Sequence, residues 1–179
     1  FAERITDLLI RLQGKVDSLV PKPGGGTCHR WLNYWNPGSG FWFSEDDDMN
    51  VSPVMYREMF LDLDQRLCAS TDYPVAHWHT GGLHLVNELL KIENLKMVQI
   101  SADPKGPTME TVLDVCQSIA NAGRKVCFQM GYDEDSISAI FAKLRPDSCM
   151  FYFGHADSID GANGIVANVE HLSQSRRKR

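Results

Sequence analysis

The stretch TDYPVAHWHTGG at positions 71–82 decides how this chain is read. A short apolar run climbs to His77, Trp78 and His79 and breaks at Gly81 and Gly82. LHLVNELL follows at 83–90, apolar at helical spacing, and predicts a helix over 82–91. Strand, polar tip, glycine turn and helix make one βα unit, with two imidazoles at the C-terminal end of its strand. Side chains alternate along a strand, so His77 and His79 share one side and Trp78 takes the other.

The unit repeats downstream. KMVQIS at 96–101 reads as a strand, followed by a loop carrying Asp103 and Pro104. Thr108 then caps a helix with Val112, Val115, Cys116 and Ile119 on its inner face and Gly123 as its stop. KVCFQM at 125–130 is the next strand, and Asp133 caps a helix bearing Ile137, Ile140, Phe141 and Leu144 that breaks at Pro146. CMFYF at 149–153 ends at Gly154-His155, and a last helix spans about 161–173. SRRKR at 175–179 reads as a solvated, disordered basic tail after a folded unit over 1–174.

Upstream, residues 1–20 carry Ile5, Leu8, Leu9, Leu12, Val16 and Leu19, one apolar face of a helix that PKPGGG at 21–26 ends. TCHRWLNYW at 27–35 reads as a short aromatic strand, 36–40 as a turn, and FWFSEDDDMN at 41–50 as an aromatic, then acidic, loop. Ser52-Pro53 opens a helix with Met55, Tyr56, Met59, Phe60, Leu63 and Leu67 at helical spacing.

Continuous apolar strands alternating with helices predict an α/β fold with a buried parallel sheet. A full (β/α)8 barrel takes roughly 200 to 400 residues, so four clear βα units in 179 residues make about half of one. The alternatives are a smaller open sheet, or a half-barrel completed by another chain or a second copy. The missing initiator Met is read as the mark of a fragment or trimmed chain.

Composition bounds the function. The chain is 43% hydrophobic and 23% charged, ordinary for a soluble globular protein. A net charge of −5 argues against nucleic acid and anionic membranes as partners. No apolar run approaches the roughly 20 residues of a membrane span, and the N-terminus has the charges of a helix, not a signal peptide. Cys28, Cys68, Cys116, Cys127 and Cys149 are odd in number and lack CxxC spacing, which reads as reduced thiols in a cytoplasmic protein.

In parallel α/β folds the chemistry collects at the C-terminal strand ends. Those ends hold His77 and His79; Gln99, Ser101 and Asp103; Gln129 and Met130; and His155. An i, i+2 pair with a distant third His is a workable zinc site with one open position. The alternative is hydrogen-bonded core or substrate-contacting histidines. Asp46, Asp47 and Asp48 form a helix cap, a cation site or a solvated run, and Asp103 before Pro104 is a turn residue.

Several stretches, in order, resemble the uroporphyrinogen decarboxylase superfamily, which also holds cobalamin-dependent methyltransferases. Asp47-Asp48 before Ser52-Pro53, Tyr56 and Phe60 is similar to its acidic loop and helix. Residues 73–90 resemble its His-tipped strand and leucine-rich helix, Gly123-Arg124-Lys125 its strand entry, and Phe153-Gly154-His155 with Asn168-Val169 its closing strand and helix. The resemblance covers about residues 40–173 and implies the C-terminal half of a (β/α)8 barrel.

The methyltransferase branch holds zinc by His-x-Cys on one strand and Cys on the last, which map onto His77, His79 and His155. The resemblance thus implies metal-assisted methyl transfer with a corrinoid cofactor on a partner protein. His77 and His155 would be catalytic, Asp48 and Gln129 substrate-binding, and Trp31, Trp35 and Trp42 would wall the pocket. Imidazoles in place of thiolates leave more positive charge on the metal, which favours activating water. Two alternatives stand beside this reading: a metal-free decarboxylase-like lyase, and a non-catalytic half-barrel that assembles with a partner or a second copy.

Overall fold

The computed structural model describes residues 1–29, 32–44, 46–103 and 105–177; Trp31 lies outside the described residues. The chain opens with α1 (Ala2–Leu19), then two three-residue strands, β1 (Thr27–His29) and β2 (Tyr34–Asn36), paired antiparallel. β3 (Gly40–Ser44), α2 (Pro53–Met59), α3 (Leu61–Ala69) and β4 (Tyr73–His79) follow. After a 3-10 turn over Thr80–Leu85 come α4 (Val86–Leu89), β5 (Met97–Ser101), α5 (Met109–Asn121), β6 (Lys125–Met130), α6 (Glu134–Lys143), β7 (Cys149–Phe153) and α7 (Ile159–Arg177). No helix among the described residues is long and apolar enough to cross a membrane.

β3 to β7 form one five-stranded parallel sheet in chain order. Each crossover therefore steps in the same direction, and right-handed crossovers that never reverse put their helices on one face. The core follows that rule. Ala76, Trp78, Val98, Ile100, Val126 and Phe128 point into a layer formed with Tyr56, Leu61, Leu89, Leu113, Ile119 and Ile140 of the helices. On the opposite face Val75, Met97 and Cys127 pack against Leu32 and Tyr34 of the hairpin. A parallel sheet with helices on one side and a short hairpin over the lower half of the other is compatible with an arc of an α/β barrel.

Caps close the helices where the sequence places them. Ser52 accepts from Met55 N at 3.2 Å, Thr108 from Thr111 N at 3.4 Å and Asp133 from Ser136 N at 3.0 Å. Gly123 takes φ +80° at the end of α5, the left-handed conformation glycine adopts most easily.

Four expectations are corrected. The aromatic start of 41–50 is a strand: Phe41 and Phe43 join the helix-side core while Trp42 turns to the other face, the alternation a pleat imposes. The single aromatic strand over 27–35 is a hairpin, turned through Asn33 at φ 49°. The helix over 82–91 is 3-10 through Leu85 and α-helical only over Val86–Leu89, because two glycines at its start weaken helical propensity. The tail is helical through Arg177, with Arg176 donating to the Ala142 carbonyl and Ser175 to that of His171.

α1 forms where its spacing predicts a helix. Its apolar side is exposed at Ile5, Leu8, Leu9, Leu12, Val16 and Leu19; only Thr6 is buried, and the helix is tied to α3 by the Asp7–Arg66 ion pair.

Glu88 locks α2 onto α4. It is buried, takes a two-point contact from Arg57 at 2.9 and 2.6 Å, and accepts from Lys91 at 2.6 Å. The Arg57 hydrogen bonds, with those from Lys91, pull its carboxyl down to about 2. A depressed carboxylate stabilises the fold above its unfolded value and loses that contribution as pH falls through the folded one. Glu88→Gln is expected to lower the melting temperature near neutral pH, with the deficit closing as pH falls toward about 2; parallel thermal melts of both proteins measure it.

Candidate metal centre

The pleat of β4 delivers the two imidazoles. Trp78 is 2% exposed in the helix-side core, so its neighbours His77 and His79 must face the other way, above the hairpin. The register sets Ser44, His77, Gln99 and Cys127 in one row, and His79, Ser101, Gln129 and Tyr152 in the row nearer the C-terminal mouth.

Each imidazole has its Nδ1 occupied. His79 Nδ1 meets Asp103 Oδ1 at 2.6 Å, and the other Asp103 oxygen accepts from Gly81 N at 2.9 Å and Thr80 Oγ1 at 3.1 Å. Hydrogen bonds from His79, Gly81 and Thr80 hold the Asp103 carboxyl below its usual range, against the opposing effect of burial, which is the largest single contribution. His77 Nδ1 meets the side-chain oxygen of Gln99. A carboxylate or amide oxygen accepts only, so in this arrangement each Nδ1 is the donor to its partner, and a neutral ring so held turns a lone pair outward on Nε2.

Those Nε2 atoms face each other at 3.2 Å, with ring centroids 4.9 Å apart and the planes edge to face. Asp46 Oδ1 lies 3.6 Å from His77 Nε2 and 3.5 Å from His79 Nε2. Three electron-pair donors thus converge on one point. Zinc bound at about 2.0–2.1 Å in a tetrahedron requires ligand atoms about 3.4 Å apart. The separations of 3.2, 3.5 and 3.6 Å fit that requirement. Asp46, His77 and His79 therefore form a possible three-residue metal site. Its carboxylate is 69% exposed, so the cluster opens to solvent on that side. Asp103 and Gln99 are the orienting partners that metal-ligating histidines ordinarily have.

The residues singled out from the sequence divide sharply. His77 and His79 are brought together, and Gln129 is joined to them through Gln99, whose Nε2 donates to Gln129 Oε1 at 3.0 Å. Trp42 lies against His77 at a ring separation of 5.1 Å. His155, expected as third ligand and catalytic group, does not join: it ends β7, three strands or about 14 Å across the sheet from β4. Its side chain is 81% exposed and pairs with Asp157 at 2.9 Å. Trp35 is on the outer side of the hairpin, donating to Pro23 O at 2.8 Å. Asp48 is 4% exposed and sits over Gly82, near enough to His79 and Asp103 to feel their charge; burial pushes its carboxyl up to about 6.

In the sequence Asp46 stands out only as one of three adjacent aspartates, and Asp103 only as a turn residue before proline. Neither has a strand period to mark it, because both lie on loops that the sheet brings together. Burial pushes the thiols of Cys68, Cys116, Cys127 and Cys149 up to about 12, so these stay protonated and away from the cluster's chemistry.

Comparison with protein families, with curated proteins and with solved structures found no match for this chain.

A β-carbon on Gly82 would lie 1.9 to 2.3 Å from the carboxyl of Asp48. Gly82→Ala is expected to displace the 3-10 turn Asp48–Asn50, which follows Asp46, and to destabilise the fold by about 1–3 kcal/mol. Denaturant unfolding checks this, and Gly82→Ala paired with Asp48→Ala should recover part of the loss.

Proposed function

We propose that this chain is the C-terminal half of a barrel of the uroporphyrinogen decarboxylase type, with a catalytic zinc site at Asp46, His77 and His79, and that it serves methyl transfer to a small-molecule acceptor. The observation that supports the metal is the convergence of two imidazole Nε2 atoms and one carboxylate oxygen at 3.2, 3.5 and 3.6 Å. The reaction rests on the resemblance at residues 40–173, which implies a corrinoid on a partner protein as methyl carrier.

Two neutral imidazoles and one carboxylate leave a bound dication a net charge of about +1 and one open position, which lowers the pKa of an acceptor or a water bound there. The chain's own groups have distinct tasks. His77, His79 and Asp46 hold; Asp103 orients His79; Trp42 forms an apolar wall beside His77; Gln129 contacts the substrate from the next strand but one.

Metal analysis of the purified chain is expected to give about one zinc per chain. His79→Ala and Asp46→Ala should release it, and His155→Ala should retain it. A fully folded chain with catalytic activity and no metal would remove the methyl-transfer reading and favour the metal-free lyase, in which a proton takes the place between the two Nε2 atoms.

The assembling half-barrel has its own support, the exposed apolar side of α1. On that reading two copies bury this side against each other. Light scattering should then show a dimer that Leu8→Glu with Leu12→Glu converts to a monomer; a monomer before substitution overturns it.

A further inference from the structure

The hydrogen bonds around His77 do not stop at its orienting partner. Gln99 is wholly buried, in the middle strand of five, and the hydrogen bonds of its amide each have a direction. Its oxygen meets His77 Nδ1. Its nitrogen donates to Ser101 Oγ at 3.2 Å and to Gln129 Oε1 at 3.0 Å. Ser101 Oγ, having accepted from Gln99, donates to the same Gln129 oxygen at 3.3 Å. All donors in this chain thus point from β4 toward β6.

An amide can be turned over, and here the two settings have opposite consequences. With the oxygen toward His77, the ring carries its proton on Nδ1 and presents a bare Nε2 to His79 and Asp46. With the nitrogen toward His77, Nδ1 must accept, so the proton moves to Nε2 and points at His79 Nε2. The first setting makes a ligand; the second makes a hydrogen-bonded histidine pair. In the first setting the Gln99 nitrogen donates to Gln129 Oε1 and Ser101 Oγ, and Ser101 donates to the same Gln129 oxygen; the second setting would require Gln129 and the Ser101 hydroxyl to turn over together with Gln99. A wholly buried amide with a misdirected partner loses hydrogen bonds that no water replaces, which favours the fully paired setting.

We propose that Gln99 is a positioning residue for the cation site: held by Ser101 and Gln129, it keeps His77 as the Nδ1-protonated tautomer and so keeps Nε2 free to bind a metal ion. This rests on the metal reading above, and it adds a determinant two strands away from Asp46. It follows that Gln129, with its oxygen engaged twice, turns its amide N–H groups away from Gln99, as donors for an acceptor atom on a bound small molecule.

The test has two readouts. Nitrogen-15 NMR of the metal-free chain reads the His77 tautomer directly. Cobalt(II) titration followed by visible absorption reads affinity in the wild type, Gln99→Leu and Gln99→Glu. The expected result is an Nδ1-protonated His77 in the wild type and a mixed or Nε2-protonated ring in Gln99→Leu. Cobalt affinity should fall about 10- to 100-fold in Gln99→Leu and recover in Gln99→Glu, whose carboxylate still accepts from Nδ1. Circular dichroism melts confirm that each variant is folded; should Gln99→Leu fail to fold, Gln129→Leu, which removes the oxygen that Gln99 and Ser101 donate to, takes its place in both readouts. An Nε2-protonated His77 in the wild type, or unchanged cobalt affinity in a folded Gln99→Leu, overturns the proposal. If the wild type binds no cobalt, the metal reading fails while the tautomer measurement still decides the role of Gln99.

Discussion

The pleat of β4 is the constraint on which the rest depends. Trp78 fills the layer between sheet and helices, and because strand side chains alternate, its burial fixes the direction of His77 and His79. A slip of one residue would drive two imidazoles into an apolar layer and expose the indole, exchanging every favourable contact on both faces. The parallel register then sets Gln99 beside His77 and Ser101 beside His79, so the orienting groups arrive with the sheet. The turn at Thr80–Leu85 completes the arrangement: Thr80 and Gly81 hold Asp103, and Asp103 holds His79.

The two histidines are unequally supported. His79 leans on a carboxylate and His77 on a neutral amide. A carboxylate stabilises positive charge on its imidazole more than an amide does, so His79 is the better electron donor of the pair. His77 is the more enclosed, flanked by Trp42 and by the wholly buried Gln99. Enclosure makes its hydrogen bonds more costly to break. One imidazole is thus tuned by charge and the other by rigidity, while Asp46 reaches in from an exposed loop and is the easiest to move.

Much of this was legible in the sequence for a simple reason: strands buried on both faces and helices with marked caps leave strong local patterns. β6 and β7 match their predicted spans, and Ser52, Thr108 and Asp133 cap as their side chains dictate. β3 was not legible, because five residues with an acidic run behind them resemble a loop until a neighbouring strand pairs with them. For His155 the limit is that chain order says which strand tip a residue occupies, not how far that tip lies from another across the sheet. The outward face of α1 escaped for a different reason: helical periodicity shows that an apolar side exists, never what covers it.

Electrostatics narrows the choice among chemistries. The acids gathered around the imidazoles are Asp46, Asp103 and, beneath the turn, Asp48. No Lys or Arg side chain bonds into the cluster among the described residues. A substrate held chiefly through its carboxylates would meet like charge there. A dication meets the opposite situation: three donor atoms at tetrahedral spacing, a further carboxylate behind one of them, and a net negative surrounding that raises its local concentration. The same charges that weaken the reading as a lyase for polycarboxylates therefore favour a cation, and they favour substrates that approach it as neutral molecules.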